Sequence, residues 1–318
     1  MKVPHPVQYQ GSKRGLAPLI LRYLPAEIPR LVEPFAGTGA VSIACAARAR
    51  AKRYWLNELN KPLAQLLILM INEPDKLARG YATTWSRQEP DSLEHYYRVR
   101  EDFNRTGEPI LFLYLLARCV KGSVRYNAEG LFNQSPDKRR RGARPQKMRE
   151  SIFGVSRLLR NRTVVSCLDY REVLACVSPG DVVYMDPPYQ GVCGDRDSRY
   201  LSGISYGDFI NALCELNQRE IRYAVSYDGR TGSKTHGKPL PSSLGLTLIE
   251  LEAGRSSQAT LLGRGDITVE SLYLSAPLAL EVGATSRRHT RNGVEQLRLL
   301  EPPGRYAKKI SRRISRPL

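Results

Sequence analysis

The stretch from Arg30 to Glu58 constrains the fold more than any other part of the chain. Arg30 to Phe35 is a short apolar run with the character of a buried strand, and it breaks into Ala36-Gly37-Thr38-Gly39. Val41 to Ala49 is rich in alanine and reads as a helix. Arg53 to Leu56 is a second strand that ends at Asn57-Glu58. Strand, glycine turn, helix, strand and acid, in that order, make one βαβ unit of a parallel sheet.

The same alternation resumes much later. Thr163 to Cys167, Asp181 to Met185, Tyr223 to Ser226, Thr247 to Glu250 and Ser271 to Leu274 read as strands, with a helix over Tyr206 to Asn217. Between the two blocks the character changes. Residues 61–160 carry helical periodicity over Leu63–Ile71, Leu93–Phe103, Ile110–Cys119 and Met148–Leu159, interrupted by a basic, glycine-rich loop or hairpin. Ahead of the first strand, Leu16 to Leu24 has helical spacing. The expected organisation is a discontinuous α/β domain (1–60 plus 161–282) with a mainly helical insert (61–160). Residues 283–318 are polar and basic and have little core-forming capacity, so a flexible tail is expected there.

Net charge is +18 at a pI of about 9.8. A chain this basic attracts polyanions, and nucleic acid is the partner expected from it. No apolar run approaches the roughly 18 residues of a membrane span, so no membrane partner is expected. The first ten residues lack the apolar core of a signal peptide, so a cytoplasmic location is expected. Cys45, Cys119, Cys167, Cys176, Cys193 and Cys214 form no C-x-x-C pair and the four histidines are scattered. Zinc sites need clustered ligands at fixed spacing, so reduced thiols and no bound metal are expected.

Glycines at the end of the first strand let a ligand approach the backbone closely. An acid some twenty residues on can accept hydrogen bonds from ribose hydroxyls. Glu33, Phe35, Gly37, Gly39 and Glu58 are therefore candidates for holding an adenosine-containing cofactor. The G-x-G-x-x-G pattern is incomplete, because Ser42 stands where its last glycine would fall, and a dehydrogenase is disfavoured. Alone, the glycines could simply make a tight turn.

Val182-Val183-Tyr184-Met185 delivers Asp186-Pro187-Pro188-Tyr189 to the same edge of the sheet. This suits methylation of an exocyclic amine, whose lone pair is delocalised into the base. The Asp186 carboxylate and the Pro187 carbonyl can each accept one N–H, which favours a pyramidal nitrogen aimed at a methyl donor. Pro187 and Pro188 stiffen the backbone and so preorganise both acceptors. Tyr189 offers a flat face for a base taken out of the stack.

At this point the sequence resembles the Dam-like, D12-class (alpha-group) DNA adenine-N6 methyltransferases, over most of its first 275 residues. The resemblance implies a Rossmann-like S-adenosylmethionine-dependent methyltransferase domain with an inserted helical DNA-recognition domain. It implies that Tyr9 and Lys13, in Gln8-Tyr9-Gln10-Gly11-Ser12-Lys13, contact the cofactor, with Lys13 near its carboxylate. Asp169 and Tyr170 look like the segment beside the cofactor's adenine, and Asp186 is counted with both the catalytic and the cofactor-binding residues. The order of cofactor loop, insert and catalytic motif matches the family's.

Arg125-Tyr126-Asn127 through Phe132-Asn133 resembles the family's DNA-contacting hairpin. Arg125, Asn127 and Asn133 suit phosphate or base-edge contacts, and Tyr126 or Phe132 would wedge or stack. Lys138, Arg139, Arg140 and Arg141 add a dense positive run suited to phosphates. A solvated basic loop is the plainer reading. Gln134 to Arg139 departs from the GATC-specific members and looks closer to methylases that accompany restriction systems, so GATC is not carried over. The expected protein is a site-specific monomeric enzyme on double-stranded DNA, in a restriction-modification, phage or mobile-element setting, alongside a cognate restriction endonuclease and near the nucleoid. The alternatives are an RNA base-amine methyltransferase and a nucleic-acid-binding protein without catalysis.

Overall fold

Five parallel strands carry the centre of the sheet: β1 (Ile28–Glu33), β2 (Ala51–Asn57), β3 (Thr163–Ser166), β4 (Asp181–Met185) and β5 (Arg222–Thr231). The computed structural model describes residues 3–188, 204–231, 234–255 and 267–284. The expectations for Tyr189, Cys193 and the basic tail lie outside these. A short β6 (Lys234–His236) pairs with the outer part of β5, and β7 (Thr247–Arg255) and β8 (Ile267–Leu274) close one side antiparallel. The order is β3-β2-β1-β4-β5-β8-β7, with β6 beside β5.

The topology follows from the residues. Every residue of β4 is buried, as expected of a central parallel strand covered on both faces. Arg30 donates to both oxygens of Asp181 at 2.8 and 2.6 Å. That fork–fork pair fixes the register of β1 against β4, in which the same two residues are partners. The chain runs from β1 outward to β2 and β3, then returns to lay β4 on the other side of β1. Strand order therefore reverses between β1 and β4, and a ligand crevice is expected outside the C-terminal ends of those two strands.

Helix α1 (Ala17–Ile20) precedes the sheet, and α2 (Ala40–Ala46) follows the glycine loop with all seven residues buried. Its alanines allow close packing on the sheet. The helix expected over Leu16–Leu24 is shorter than read: α1 gives way to a 3-10 turn at Leu21–Tyr23 before Pro25.

Residues 61–160 form α3 (Lys61–Asn72), α4 (Pro74–Ser86), α5 (Ser92–Thr106), α6 (Pro109–Arg118) and α7 (Pro145–Leu159). Four of them carry proline in the first turn, where its missing N–H costs nothing. They pack on one another, and α3 also meets β3 while α7 meets α2. Under the other face of the sheet lie α8 (Tyr170–Ala175) and α9 (Tyr206–Gln218). Their Val173, Phe209, Leu213 and Leu216 share a core with Val32, Val183, Met185 and Val225. Each such fully buried side chain is worth about 1.5–3 kcal/mol. Helix α10 (Ala276–Glu281) packs beside β5.

β5 and β7 run past their expected ends, and β6 has no counterpart in the sequence reading. The reason is an irregularity. The β5–β8 register shifts between Ser226 and Gly229, where Asp228 takes a positive φ of 56°. A bulge interrupts the alternation from which strand length is read.

Candidate active site

The crevice at the switch point is a cavity of about 430 Å³, lined by the N-terminal segment, the glycine loop, Asn57–Asn60, Leu168–Arg171, Asp186–Pro188 and Ile204–Asp208. Its volume lies in the range of small-molecule sites.

The glycine loop is held from both sides. Ala36 N donates to Asn57 O at 2.8 Å and Gly39 N to Ala36 O at 2.7 Å. Gly39, with φ of 66°, starts α2, and a Cβ there would sit 3.2 Å from Leu56 Cδ1. Gly37 N donates to Glu58 Oε2 at 2.9 Å, and Asn60 N to Glu58 Oε1 at 2.8 Å. Burial pushes the Glu58 carboxyl above its ordinary value, and those two N–H groups pull it back.

Glu33 is buried at the end of β1, where its Oε1 accepts from Ser42 N in the first turn of α2 at 2.8 Å. Desolvation pushes Glu33 up to about 7; Ser42 opposes this and the Asp186 charge adds to it. Asn57, which the sequence reading did not single out, joins three strand ends. Its Nδ2 donates to Pro34 O at 3.0 Å and Leu168 O at 2.9 Å, and its Oδ1 accepts from Ser166 Oγ at 2.7 Å. A buried amide next to an acid at a strand end was the available signal.

Lys13 sits just ahead of α1, whose Ala17 N donates to the Lys13 carbonyl at 2.7 Å. Its ammonium lies 2.9 Å from Asp186 Oδ1 and 3.3 Å from Glu270 Oε2. Lys13 was expected beside the cofactor, and the structure pairs it with two carboxylates, one of which, Glu270 on β8, the sequence reading missed. Burial raises Glu270 and Lys13 opposes that. Ser12 Oγ lies 3.3 Å from Thr38 Oγ1, and Gln10 N donates to Gly122 O at 3.0 Å. The N-terminal segment is thus tied to both the glycine loop and the insert.

The aromatic wall is Phe35 against Tyr170, ring centroids 5.1 Å apart, with Phe209 behind. Asp169 lines the cavity and also caps α8 in a capping box with Glu172. Arg171 donates to both Asp169 oxygens, at 2.9 and 3.1 Å, and holds its carboxyl below the usual range. Tyr9, Phe35, Gly37, Glu58, Tyr170, Asp186, Pro187 and Pro188 all reach the same cavity. Among the described residues, no three His, Cys, Asp or Glu side chains gather as a metal cluster. No described helix is long and apolar enough to cross a membrane.

In the hairpin, the expectation that Tyr126 or Phe132 presents its ring to a base meets a different arrangement. Phe132 is 1% exposed and packs edge-on to Phe103, Phe112 and Tyr126. Tyr126 is buried too, with its hydroxyl on Asn60. The helical layer needs these rings for its own core. Asn127 closes the turn: its Oδ1 accepts from Leu131 N at 2.8 Å, ahead of Gly130 at φ 75°. Arg125 and Asn133 are exposed, with Asn133 N donating to Arg125 O at 3.0 Å. Lys138, Arg139, Arg140 and Arg141 are exposed as well. Arg140 pairs with Asp137 and Arg141 with Glu89, whereas the side chains of Lys138 and Arg139 have no carboxylate partner among the described residues.

A doubly wound sheet with a glycine loop and an Asp-Pro-Pro edge on one cavity defines the Rossmann-like methyltransferase class. Residues 9–251 match the model of the D12 class N6 adenine-specific DNA methyltransferases, and the chain belongs to that family. It is 34% identical to a DNA adenine methylase of Serratia marcescens over 58% of this chain and 66% of the relative. It is 32% identical to a DNA N-6-adenine-methyltransferase of Escherichia phage P1 over 70% of this chain and 29% of the relative. A Type II methyltransferase, M.MjaIII, from Methanocaldococcus jannaschii is 28% identical over 65% of this chain and 75% of the relative. In the first two cases the match spans less than two thirds of the relative's length.

Proposed function

We propose that this chain transfers a methyl group from S-adenosylmethionine to N6 of adenine in double-stranded DNA, at a specific site. The observation that carries the reading is that Asp186, Pro187 and the Ala36–Thr38 stretch of the glycine loop open onto one cavity. An amine held by the Asp186 carboxylate and the Pro187 carbonyl has both its N–H groups engaged and its lone pair directed across the cavity. Pro187 is buried, and proline fixes its own φ, so the carbonyl needs no reorganisation.

The residues present fit the cofactor. Glu58, Asp169, Asp186 and Asp208 face the cavity against Lys13 and Arg171, which leaves an excess of carboxylate suited to a ligand with cationic groups. Glu58 accepts two backbone N–H groups and, as a carboxylate with about four lone-pair sites, retains capacity for ribose hydroxyls. Phe35 and Tyr170 supply flat apolar faces for an adenine ring. When bound, the cofactor supplies a methyl group on a sulfonium, an electrophile that carries its own leaving group. The chain's own part is to hold the amine, fix its orientation and keep a carboxylate beside the nitrogen as it loses its proton.

Residues 61–160 are read as the target-recognition segment, with Arg125, Asn133 and the Lys138–Arg141 run turned to the duplex. The working context is a restriction-modification, phage or mobile-element system, with the protein a monomer at the nucleoid. Transfer of tritiated methyl to adenine-containing duplex DNA, against ribosomal RNA and duplex DNA already methylated at N6, tests the reading. Label in the first substrate alone is expected; label in the RNA alone refutes it. Asp186→Ala is expected to retain cofactor binding and lose transfer by at least about a hundredfold.

A further inference from the structure

Of the two carboxylates described against Lys13, Asp186 and Glu270, the proposed chemistry does not use Glu270. It stands on β8 between Gly229 of β5 and Leu251 of β7, its partners on either side. Its backbone is fixed closely: a Cβ on Gly229 would lie 2.6 Å from Val269 O and 3.3 Å from Glu270 Cα. β5 can lie this near to β8 only because Gly229 has no side chain. Glu270 is thus mounted on a strand paired on both sides, whereas Asp186 stands where β4 gives way to a loop and Lys13 is in an irregular segment.

The Lys13 ammonium links the two. It lies 2.9 Å from Asp186 Oδ1 and 3.3 Å from Glu270 Oε2, and its side chain is 9% exposed. An ammonium is a point charge on a flexible four-carbon stem. Held by Asp186 alone, it would follow that carboxylate wherever it turned. Held also by Glu270, it has a fixed position from which to brace Asp186. The second carboxylate also divides the lysine's charge, so Asp186 keeps more of its strength as an acceptor.

We infer that Glu270 is a positioning residue for methyl transfer, acting through Lys13 to set the orientation and acceptor strength of the Asp186 carboxylate. This rests on the reading of Asp186 as the group that holds the amine. Glu270 touches neither the amine nor the methyl donor in this scheme, so its effect belongs in turnover and not in binding.

The test is a double-mutant cycle on the full chain, followed by tritiated-methyl kinetics on duplex DNA. Glu270→Gln is expected to lower kcat roughly tenfold, with KM for cofactor and DNA and the unfolding temperature close to wild type. In a Lys13→Met background the same substitution is expected to have no further effect, because the link it acts through is gone. Unchanged kcat in Glu270→Gln overturns the inference. So do a loss confined to KM and a loss that multiplies with that of Lys13→Met. If Glu270→Gln does not fold, Glu270→Asp keeps the charge and shortens the reach; it is expected to lower kcat in the wild-type background only, and full activity there overturns the inference too. Asp186→Ala run alongside separates the two claims. An active Asp186→Ala removes the reading of Asp186, whereas an inactive one beside a fully active Glu270→Gln removes only the role of Glu270.

Discussion

The Tyr126 hydroxyl engages both ends of the Asn60 amide, accepting from Nδ2 at 3.1 Å and donating to Oδ1 at 3.3 Å. Asn60 in turn caps α3 and gives its backbone N–H to Glu58, whose other oxygen receives Gly37 N. A hairpin of the insert is thereby wired to the glycine loop in three steps.

Tyr126→Phe removes this hydroxyl and keeps the ring. Loss of a buried hydrogen bond that leaves a partner unmatched costs about 1–3 kcal/mol, so a drop of a few degrees in unfolding temperature is expected. Affinity for duplex DNA at fixed salt is expected to stay within about twofold, since the ring is turned inward and makes no contact of the kind that reads bases. Scanning calorimetry with a filter-binding titration checks both. A large loss of DNA affinity at unchanged stability would mean that the ring leaves its site to meet DNA.

Glu33 gives a pH dependence with a definite sign. Its carboxyl sits at about 7 in the folded chain against an ordinary 4.5. Ionising it is therefore harder when folded than when unfolded. Its contribution to stability is fully present below about pH 4.5 and is lost as pH rises through 7. The difference is on the order of 3 kcal/mol at most. Glu33→Gln is expected to flatten this part of the stability profile between about pH 5 and 8 in urea melts, with the wild type showing the steeper fall. An identical slope in both proteins would show that Glu33 is not held neutral in the folded state.

The basic run divides into two pairs. Arg140 and Arg141 already have carboxylate partners, whereas the side chains of Lys138 and Arg139 have none among the described residues. Every phosphate that the protein no longer neutralises reduces the slope of log K against log salt by about 0.9. The double substitution Lys138→Ala/Arg139→Ala is expected to flatten the slope by roughly two, and Arg140→Ala/Arg141→Ala by less. Equal slopes for both double variants and the wild type would remove the run from the DNA interface.

Gly122 has φ of 62°, and a Cβ on it would lie 2.6 Å from Gln8 O. Gly122→Ala meets backbone on one side and an unfavourable conformation on the other, so about 1–3 kcal/mol of destabilisation is expected. Because Gln8 leads into the segment that carries Lys13, cofactor affinity is expected to fall with it. Calorimetric titration against the unfolding temperature reads the two effects together; intact affinity would show that the segment is held elsewhere.

The parallel centre of the sheet and the cavity edge were legible because both rest on local patterns. β1, β2 and β4 are apolar runs that end in glycine or acid, and the chemistry follows at once in Gly37, Glu58 and Asp186. What stayed hidden depends on contacts across the chain. Glu270 falls just ahead of the strand read at Ser271 to Leu274, and only the true extent of β8 and the placement of the N-terminal segment bring it to Lys13. Tyr126 and Phe132, set among arginines and asparagines, read as rings for bases; they are buried because the aromatic core of the helical layer, built on Phe103 and Phe112, needs partners. The bulge at Ser226–Gly229 leaves no trace in a period-two pattern.

Residues 61–160 leave the sheet after β2 and rejoin it at β3, the two strands farthest from β8 and β7. An exchange of this segment between relatives therefore does not cut through the edge that carries Asp186. The graft must nonetheless bring its own glycine at the position of Gly122 and a hydroxyl at the position of Tyr126. Without these the incoming segment would lose its hold on Gln10 and Asn60, and the glycine loop and Lys13 of a hybrid would stand loose.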